Sequence, residues 1–342
     1  MTLRIAFITD AWHPQINGVV TTIQNTCSTL EQLGHRITII SPDQFTTIPC
    51  PSYPSIRLAV ACYGKLSQQL DELKPQRIHI ATEGPLGIAA RRYCIKHNLS
   101  FTTSFHTLFA EYINLRFKIP LSLGYGFLRW FHAPAKKVMV ATPSVEADLK
   151  AKGFKNHFVR WSRGVNSDFY YPRDDDFLSL PRPIAMFVGR VAVEKNIKAF
   201  LSLDFPGTKV VVGDGPQLKE LKDKFPDAVF AGFQSGEPLA RYMASADVFV
   251  FPSLTDTFGI VMLDALASGV PVAAFPVTGP LDVITSDKVG KLDEDLKKAM
   301  TEALKLDPND CRRFALNYSW VNCAEQFFNH LVPSQPHEAH IQ

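Results

Sequence analysis

Two carboxylates, Asp256 and Asp264, stand eight positions apart in the run "PSLTDTFGIVMLDALASGVPV". From Gly259 to Ala267 the other side chains are Gly, Ile, Val, Met, Leu and Ala, so a helix here is apolar on every side and buried, with Asp264 its lone charge. An unpaired buried carboxylate costs on the order of several kcal/mol, so Asp264 is expected at a cleft, in an ion pair, or on a ligand. The plain alternatives are Asp256 as a helix N-cap and Asp264 as the partner of a basic residue. Upstream, "GRVAVEKNI" follows an apolar run. Gly189 there lets the chain turn, and Arg190 and Lys195 supply a forked and a point cation suited to phosphate or carboxylate. "VVGDGPQ" places Gly213 and Gly215 where a backbone can approach a ligand closely. His106, after "FTTSF", is suited to donate a hydrogen bond to a ligand hydroxyl or phosphate, or else is a satisfied structural histidine. "TDAWHPQINGVVTT" carries Gly18 into a helix whose free N–H groups suit an anion, if it is not a plain turn.

These residues need strands to end beside one another. The first half alternates "RIAFIT", "RITIIS", "RIHIA", "FTTSF" and "KVMVA" with helical patterns at Val20–Leu33, Lys65–Leu73, Pro85–His97 and Ser144–Lys152, the signature of βαβ units on a parallel sheet. Ser167 to Pro183, rich in Asp and Pro, breaks the pattern and reads as an interdomain linker. Alternation then resumes with "PIAMFVG", "KVVVG", "AVFAG", "VFVFPS" and "VPVAAF". Two α/β domains with a cleft between them are expected, and ligands of such sheets sit beyond the carboxyl ends of the strands. A helix beginning near Phe258 would then aim its first N–H groups at the same place as Arg190 and Lys195, binding a diphosphate from both sides. Asp256 and Asp264 would accept hydrogen bonds from the sugar hydroxyls that flank it.

The 342 residues, 46% hydrophobic and 20% charged, suit a soluble protein of about two domains. Six scattered cysteines form no CxxC or Cys/His cluster, which points to buried free thiols in a reducing cytosol rather than to zinc or disulfides. The apolar start "LRIAFIT" is short for a signal peptide, and no stretch reaches the roughly 18 to 20 residues that span a bilayer, so a cytoplasmic protein is expected. Net charge is +3, but residues 1–165 hold 19 Lys+Arg against 9 Asp+Glu, a balance of +10, and residues 166–342 hold 17 against 24, a balance of −7. A basic half suits a polyanionic partner, either a membrane surface or nucleic acid, unless it is merely a solvated surface. In "NLRFKIPLSLGYGFLRWFHAPAKK", Arg116, Lys118, Arg129, Lys136 and Lys137 interleave with Phe117, Tyr125, Phe127, Trp130 and Phe131, as at a headgroup boundary, unless these aromatics pack inward as core.

Four stretches, "HPQINGV", "TSFHTLFAEY", "GRVAVEKN" and "PSLTDTFGIVMLDALASGVPVAAFPVTGP", resemble the GT-B glycosyltransferases of family 4, in particular the branch of sulfolipid synthases and GDP-mannose-dependent mannosyltransferases. The resemblance implies an α/β fold of two Rossmann-like, doubly wound parallel-sheet domains facing a central cleft. Residues 1–165 would bind the acceptor, residues 166–320 the nucleotide-sugar donor, and the helix 321–342 would return to the first domain. The family's E-x7-E signature falls on Asp256 and Asp264, the second a departure from the usual Glu that shortens its reach by one methylene.

The resemblance further implies a retaining transfer of a hexose from a GDP-mannose or UDP-glucose type of donor to a lipid or glycan hydroxyl. Arg190 and Lys195 would hold the diphosphate, Asp256 the donor sugar, Asp264 the ribose, and His106 a sugar hydroxyl or the transition state. Gly18 would lie near the diphosphate or the acceptor. Gly189, Gly213, Phe258, Gly259 and Ile260 would line the donor site, with the base near Phe233. With cations and a helix N-terminus at the leaving group, no metal or other cofactor is needed. The expected partners are the donor, the acceptor and an anionic membrane at the inner face of the cytoplasmic membrane, with no nucleic acid. A nucleotide-sugar epimerase or a non-catalytic nucleotide-sugar-binding protein are the rivals, and an NAD-dependent oxidoreductase is disfavoured because no GxGxxG follows the first strand.

Overall fold

The structure is a computed structural model and describes residues 2–15, 17–50, 53–174 and 177–335, with the backbone alone at 53–55 and 115–117. The chain divides into two compact units, Met1–Ser162 with Trp320–Gln342, and Arg163–Ser319. The segment read as a linker, Ser167 to Pro183, falls within the second unit and carries no helix or strand at its described residues.

The first unit opens with β1 (Arg4–Ile8), α1 (Gly18–Gln32) and β2 (Arg36–Ile40). A hairpin, β3 (Thr47–Cys50) and β4 (Tyr53–Ala59), follows, then α2 (Tyr63–Leu73), β5 (Arg77–Ile80), α3 (Pro85–Lys96) and β6 (Thr102–Phe105). After β6 come α4 (Phe109–Phe117), α5 (Leu121–His132), β7 (Lys137–Val140), α6 (Pro143–Ala151) and β8 (Phe158–Arg160). The second unit holds β9 (Ile184–Val188), α7 (Ile197–Leu201), β10 (Thr208–Val212), α8 (Leu218–Lys224), β11 (Val229–Gly232) and α9 (Gly236–Ala244). It continues through β12 (Val248–Phe251), α10 (Ile260–Ala267), β13 (Val272–Ala274), α11 (Pro280–Val283), β14 (Gly290–Leu292), α12 (Leu296–Ala303) and α13 (Pro308–Ala315). The last helix, α14 (Trp320–His330), belongs to the first unit; the expected helix 321–342 runs past position 335, beyond the described residues.

Each unit is built on a parallel six-stranded sheet, ordered β2-β1-β5-β6-β7-β8 in the first and β11-β10-β9-β12-β13-β14 in the second. Helices cover both faces, so the central strands are apolar along their length instead of alternating. On one face of the first sheet, Ile5 and Phe7 pack with Ile23, Leu30 and Phe327; on the other, Ala6 and Ile8 pack with Ile78, Ile80 and Leu86. Five of the six cysteines are buried.

The ten expected strands are present. Missing from the sequence reading are the β3–β4 hairpin, helices α4 and α5, the edge strand β8, and the short elements after β13. The hairpin carries Pro49 and Pro54, and proline removes a ladder donor, which hides a strand from pattern reading.

Candidate functional site

In sequence order the second sheet runs 3-2-1-4-5-6, so the chain leaves β9 in one direction and β12 in the other, and a crevice opens beyond their carboxyl ends. The loop after β9 holds Gly189, Arg190 and Lys195; the loop after β12 holds Asp256. They meet: Lys195 Nζ lies 2.7 and 2.8 Å from the two oxygens of Asp256. The two loops are tied by other bonds. Asn196, in the left-handed region, donates Nδ2 to Pro252 O at 3.1 Å, and Ser253 Oγ donates to the carbonyl of buried Glu194 at 3.2 Å. Asp256 is therefore not an N-cap. The cap position of α10 is Gly259, with no side-chain cap, so the helix offers its first N–H groups at this crevice. Burial pulls the Arg190 guanidinium down to about 10, against the opposing pull of Glu194.

Two glycines hold the crevice open. A Cβ on Gly213, at φ +143, would sit 1.8 Å from Gly189 O, so the turns after β9 and β10 touch backbone to backbone. Gly259, at φ +83, lies against the Phe251 ring at the end of β12, where a Cβ would come within 2.8 Å of Phe251 Cζ. Phe258 is buried, Ile260 partly so, and Phe233 stands 51% exposed just past β11.

Asp264 lies on the second turn of α10, partly buried, with no hydrogen bond or ion pair to its carboxylate among the described residues. Burial pushes its carboxyl up to about 8, so it holds its proton at neutral pH. Tyr170 stands beside it, its phenol raised by burial first and by Asp264 second. Arg312 fixes this neighbourhood by donating to Tyr170 O at 2.6 Å, Ala267 O at 2.9 Å and Ser167 O at 2.8 Å.

In the first unit, Asp10 stands just past β1, beside the start of α3. Buried Asp10 takes Leu86 N at 2.8 Å, Gly87 N at 3.2 Å and Thr82 Oγ1 at 2.9 Å, so the N–H groups at the start of α3 are satisfied internally. Burial holds the Asp10 carboxyl up at about 6 against these hydrogen bonds. At α1, Asn17 Oδ1 accepts from Val19 N at 3.0 Å and Val20 N at 3.1 Å. This corrects the expectation that the helix after Gly18 has free N–H groups for an anion: the residue read as part of a turn caps it. Gly18 is exposed, and its carbonyl takes Thr22 Oγ1 at 2.7 Å. His106 is 8% exposed, its Nε2 2.8 Å from Ser104 Oγ and its ring edge-on to buried Trp161.

Two family models match the chain, "Glycosyltransferase Family 4" over residues 16–169 and "Glycosyl transferases group 1" over residues 182–306, so that between them they span most of it. The chain belongs to the family 4 glycosyltransferases. This glycosyltransferase is 28% identical over 318 residues to the sulfoquinovosyl transferase SQD2 of Arabidopsis thaliana, covering 84% of the chain but only 62% of that relative. It is 29% identical over 322 residues to a GDP-mannose-dependent alpha-mannosyltransferase of Mycobacterium tuberculosis, covering 85% of the chain and 83% of that protein. Sucrose-phosphate synthase from Thermosynechococcus elongatus superposes with a TM-score of 0.78 at 20% identity, over 96% of this chain and 98% of that one. The two parallel-sheet units of the glycosyltransferase are those of the GT-B fold.

Several residues around these sites escaped the sequence reading. Glu194 hides inside the quoted "GRVAVEKN" as a surface-like charge yet is buried. Arg163, 5% exposed, lies over the Phe258 ring, 5.9 Å from its centroid, and its one sequence signal is an arginine beside Gly164 at the start of the second unit. Gly279, in the quoted "VTGP", packs its α-carbon under the loop so that a Cβ would lie 2.9 Å from Asp256 O. Of the aromatics expected at a headgroup boundary, Tyr125 and Phe131 are buried and Phe127 packs on the core, because α5 turns one face inward. Trp130 is 48% and Leu123 66% exposed, while the side chains of Arg116 and Phe117 lie outside the described residues. Among the described residues, no helix is long and apolar enough to cross a membrane, and no three metal-ligating side chains cluster.

Proposed function

We propose that this glycosyltransferase moves a hexose, with retention, from a GDP-mannose or UDP-glucose type of donor to a hydroxyl of a lipid or glycan. The observation that carries the donor side is the Lys195–Asp256 pair beside the uncapped start of α10. An arriving diphosphate takes over the Lys195 ammonium, together with Arg190 and the α10 N–H groups, and Asp256, released, accepts from donor-sugar hydroxyls. Gly189, Gly213 and Gly259 permit close approach, Phe258 and Ile260 flank the phosphates, Asp264 takes the ribose, and Phe233 lies on the base side. His106 meets a sugar hydroxyl, and Gly18 lies near the diphosphate or acceptor. Cations and the helix N-terminus neutralise the leaving group, so no metal is needed. The acceptor oxygen bonds the anomeric carbon on the face from which the phosphate oxygen departs, and that oxygen takes the acceptor's proton.

A lipid acceptor and an anionic membrane are supported by the +10 balance of residues 1–165 and by the exposed Leu121, Leu123 and Trp130 of α5. The test is release of nucleoside diphosphate from GDP-mannose and UDP-glucose with candidate acceptors. Arg190→Ala and Lys195→Ala should each lower kcat/KM more than about tenfold while the fold stays intact. Retention of most activity in both variants defeats the donor site. A rate that collapses in excess EDTA and returns with magnesium defeats metal independence.

A further inference from the structure

Helices α3 and α5 of the first unit share an outward face that the roles above leave without a task. Ile88 and Ile95 stand two turns apart on one side of α3 and are 37% and 46% exposed. With Trp130 of α5, 48% exposed, and with Arg91, Arg92 and Lys96, they line a hollow of about 450 Å³. Trp130 is fixed there. Arg91 donates from Nε to Phe131 O at 3.0 Å and from Nη2 to Trp130 O at 2.8 Å, and its guanidinium stands 3.9 Å from the centre of the indole, with the Phe127 ring 5.8 Å away. A large aromatic held half-bare beside two exposed aliphatic side chains marks a contact surface.

The charge on this face is of one sign. Neither α3 nor α5 contains an acidic residue. On the adjoining elements, Asp71 accepts from the Tyr93 hydroxyl at 2.6 Å, and Glu83 Oε1 lies 3.2 Å from Nε2 of buried His132. Arg92 lies over the Tyr63 ring at 4.8 Å, and neither its guanidinium nor the Lys96 ammonium makes a hydrogen bond or ion pair among the described residues. Next to Trp130 along α5, Arg129 lines a second hollow of about 320 Å³ with Lys155 and His157, so the cations continue past the indole. An apolar floor beside two free cations fits an anionic amphiphile, and size narrows the choice. One turn of a peptide helix, about 10 Å across and 5.4 Å long, would already fill the larger hollow, whereas a phosphate with its glycerol enters it with room to spare.

We propose that the hollow between α3 and α5 is the site at which this chain docks on a bilayer, taking the phosphate of an anionic phospholipid between Arg92 and Lys96 while Trp130, Ile88 and Ile95 enter the boundary between headgroups and acyl chains. The long stems of Arg92 and Lys96 can lie along the apolar floor and still carry their charges out to the phosphates. The site rests on the membrane reading above and commits it to one face.

Vesicles of phosphatidylcholine, alone or mixed with phosphatidylglycerol, test it with the full chain, the acyl chains brominated in a parallel set. The wild type should bind the mixed vesicles at low salt and lose tryptophan fluorescence to the brominated ones, and that quenching should vanish in Trp130→Phe. Arg92→Gln with Lys96→Gln should weaken binding about thirtyfold, the scale of two surface cations, while an exposed pair elsewhere on the first unit, Arg36→Gln with Lys74→Gln, should leave most of it. Binding that is quenched equally in Trp130→Phe, or that falls equally in both charge pairs, overturns this face and keeps the membrane reading. No binding to mixed vesicles overturns both. A wild type that sediments as a dimer and a monomeric Ile95→Gln would give the face to a second copy of the chain and overturn the lipid site. Release of nucleoside diphosphate is read separately: a chain that docks as expected and transfers nothing upholds the site and overturns the transferase reading.

Discussion

Lys195 has two claims on its charge, the Asp256 carboxylate it touches and the diphosphate assigned to it. Asp256→Asn removes the first claimant, so the nucleoside diphosphate should bind roughly two- to fivefold tighter, the scale of a partly exposed ion pair, while kcat falls. Isothermal titration beside steady-state kinetics reads both; weaker diphosphate binding in this variant would show that the pair builds the site instead of competing with it. Asp264 sets a pH dependence. Its folded carboxyl sits near 8, above the ordinary 3.8, so between those values the native state holds a proton that the unfolded chain lacks. Its contribution to stability is full below the unfolded value and is lost as pH rises through the folded one. The melting temperature of the ligand-free protein should therefore fall as pH rises toward 8, and Asp264→Asn should flatten that slope and shrink the nucleotide-induced shift. Scanning calorimetry across that pH range, with and without nucleotide, checks both, and an unchanged slope removes Asp264 as its source. The lone charge on an apolar helix was legible in the sequence. The Lys195–Asp256 contact was not, because it joins residues 61 positions apart and only the sheet order brings them together.

At the scale of elements, the helix N-termini of the two units differ in a way that favours the proposed phosphate site in the second. Asn17 caps α1 and Asp10 satisfies the start of α3, whereas α10 begins at a glycine without a side-chain cap. Asn17→Ala should cost about 1 kcal/mol, a typical cap, and leave diphosphate affinity unchanged in a denaturant titration paired with a binding assay. Gly213→Ala should do the opposite. Its Cβ would lie 1.8 Å from Gly189 O, so the turn bearing Arg190 must move; we expect a loss of about 1–3 kcal/mol and of measurable nucleotide binding. A variant that binds as the wild type does would show that the two turns need not touch. The strands that end at these turns could be read because buried parallel strands are continuous apolar runs. The hollow between α3 and α5 could not, since it is lined from two helices that only their packing brings together.

At the scale of the whole molecule, α14 is distant in sequence from the unit it completes. Phe327 is fully buried, stacked on Phe7 at 5.4 Å and edge-on to His79 at 4.8 Å, with Cys323 and Ala324 in the same cluster. A chain ending at Ser319 should lose amide-exchange protection in β1, β5 and β6 while keeping it in β9, β10 and β12; protection retained in β1 would show that α14 is an accessory. Vesicle co-sedimentation belongs here too. Binding to anionic vesicles at low salt should fade as salt rises, because the Debye length shrinks to about 8 Å at physiological strength, and absence of binding at low salt leaves a soluble acceptor. The closing stretch was readable as a returning helix by resemblance, but not the surface it covers. That surface has a consequence for synthesis. The ribosome makes β1 before Phe327, with the entire second unit translated in between. At roughly 5–20 residues per second, the Ile5 and Phe7 face waits about fifteen to sixty seconds for its cover, so the unit begun first is finished second, and its uncovered sheet is where a nascent chain of this protein calls for a chaperone.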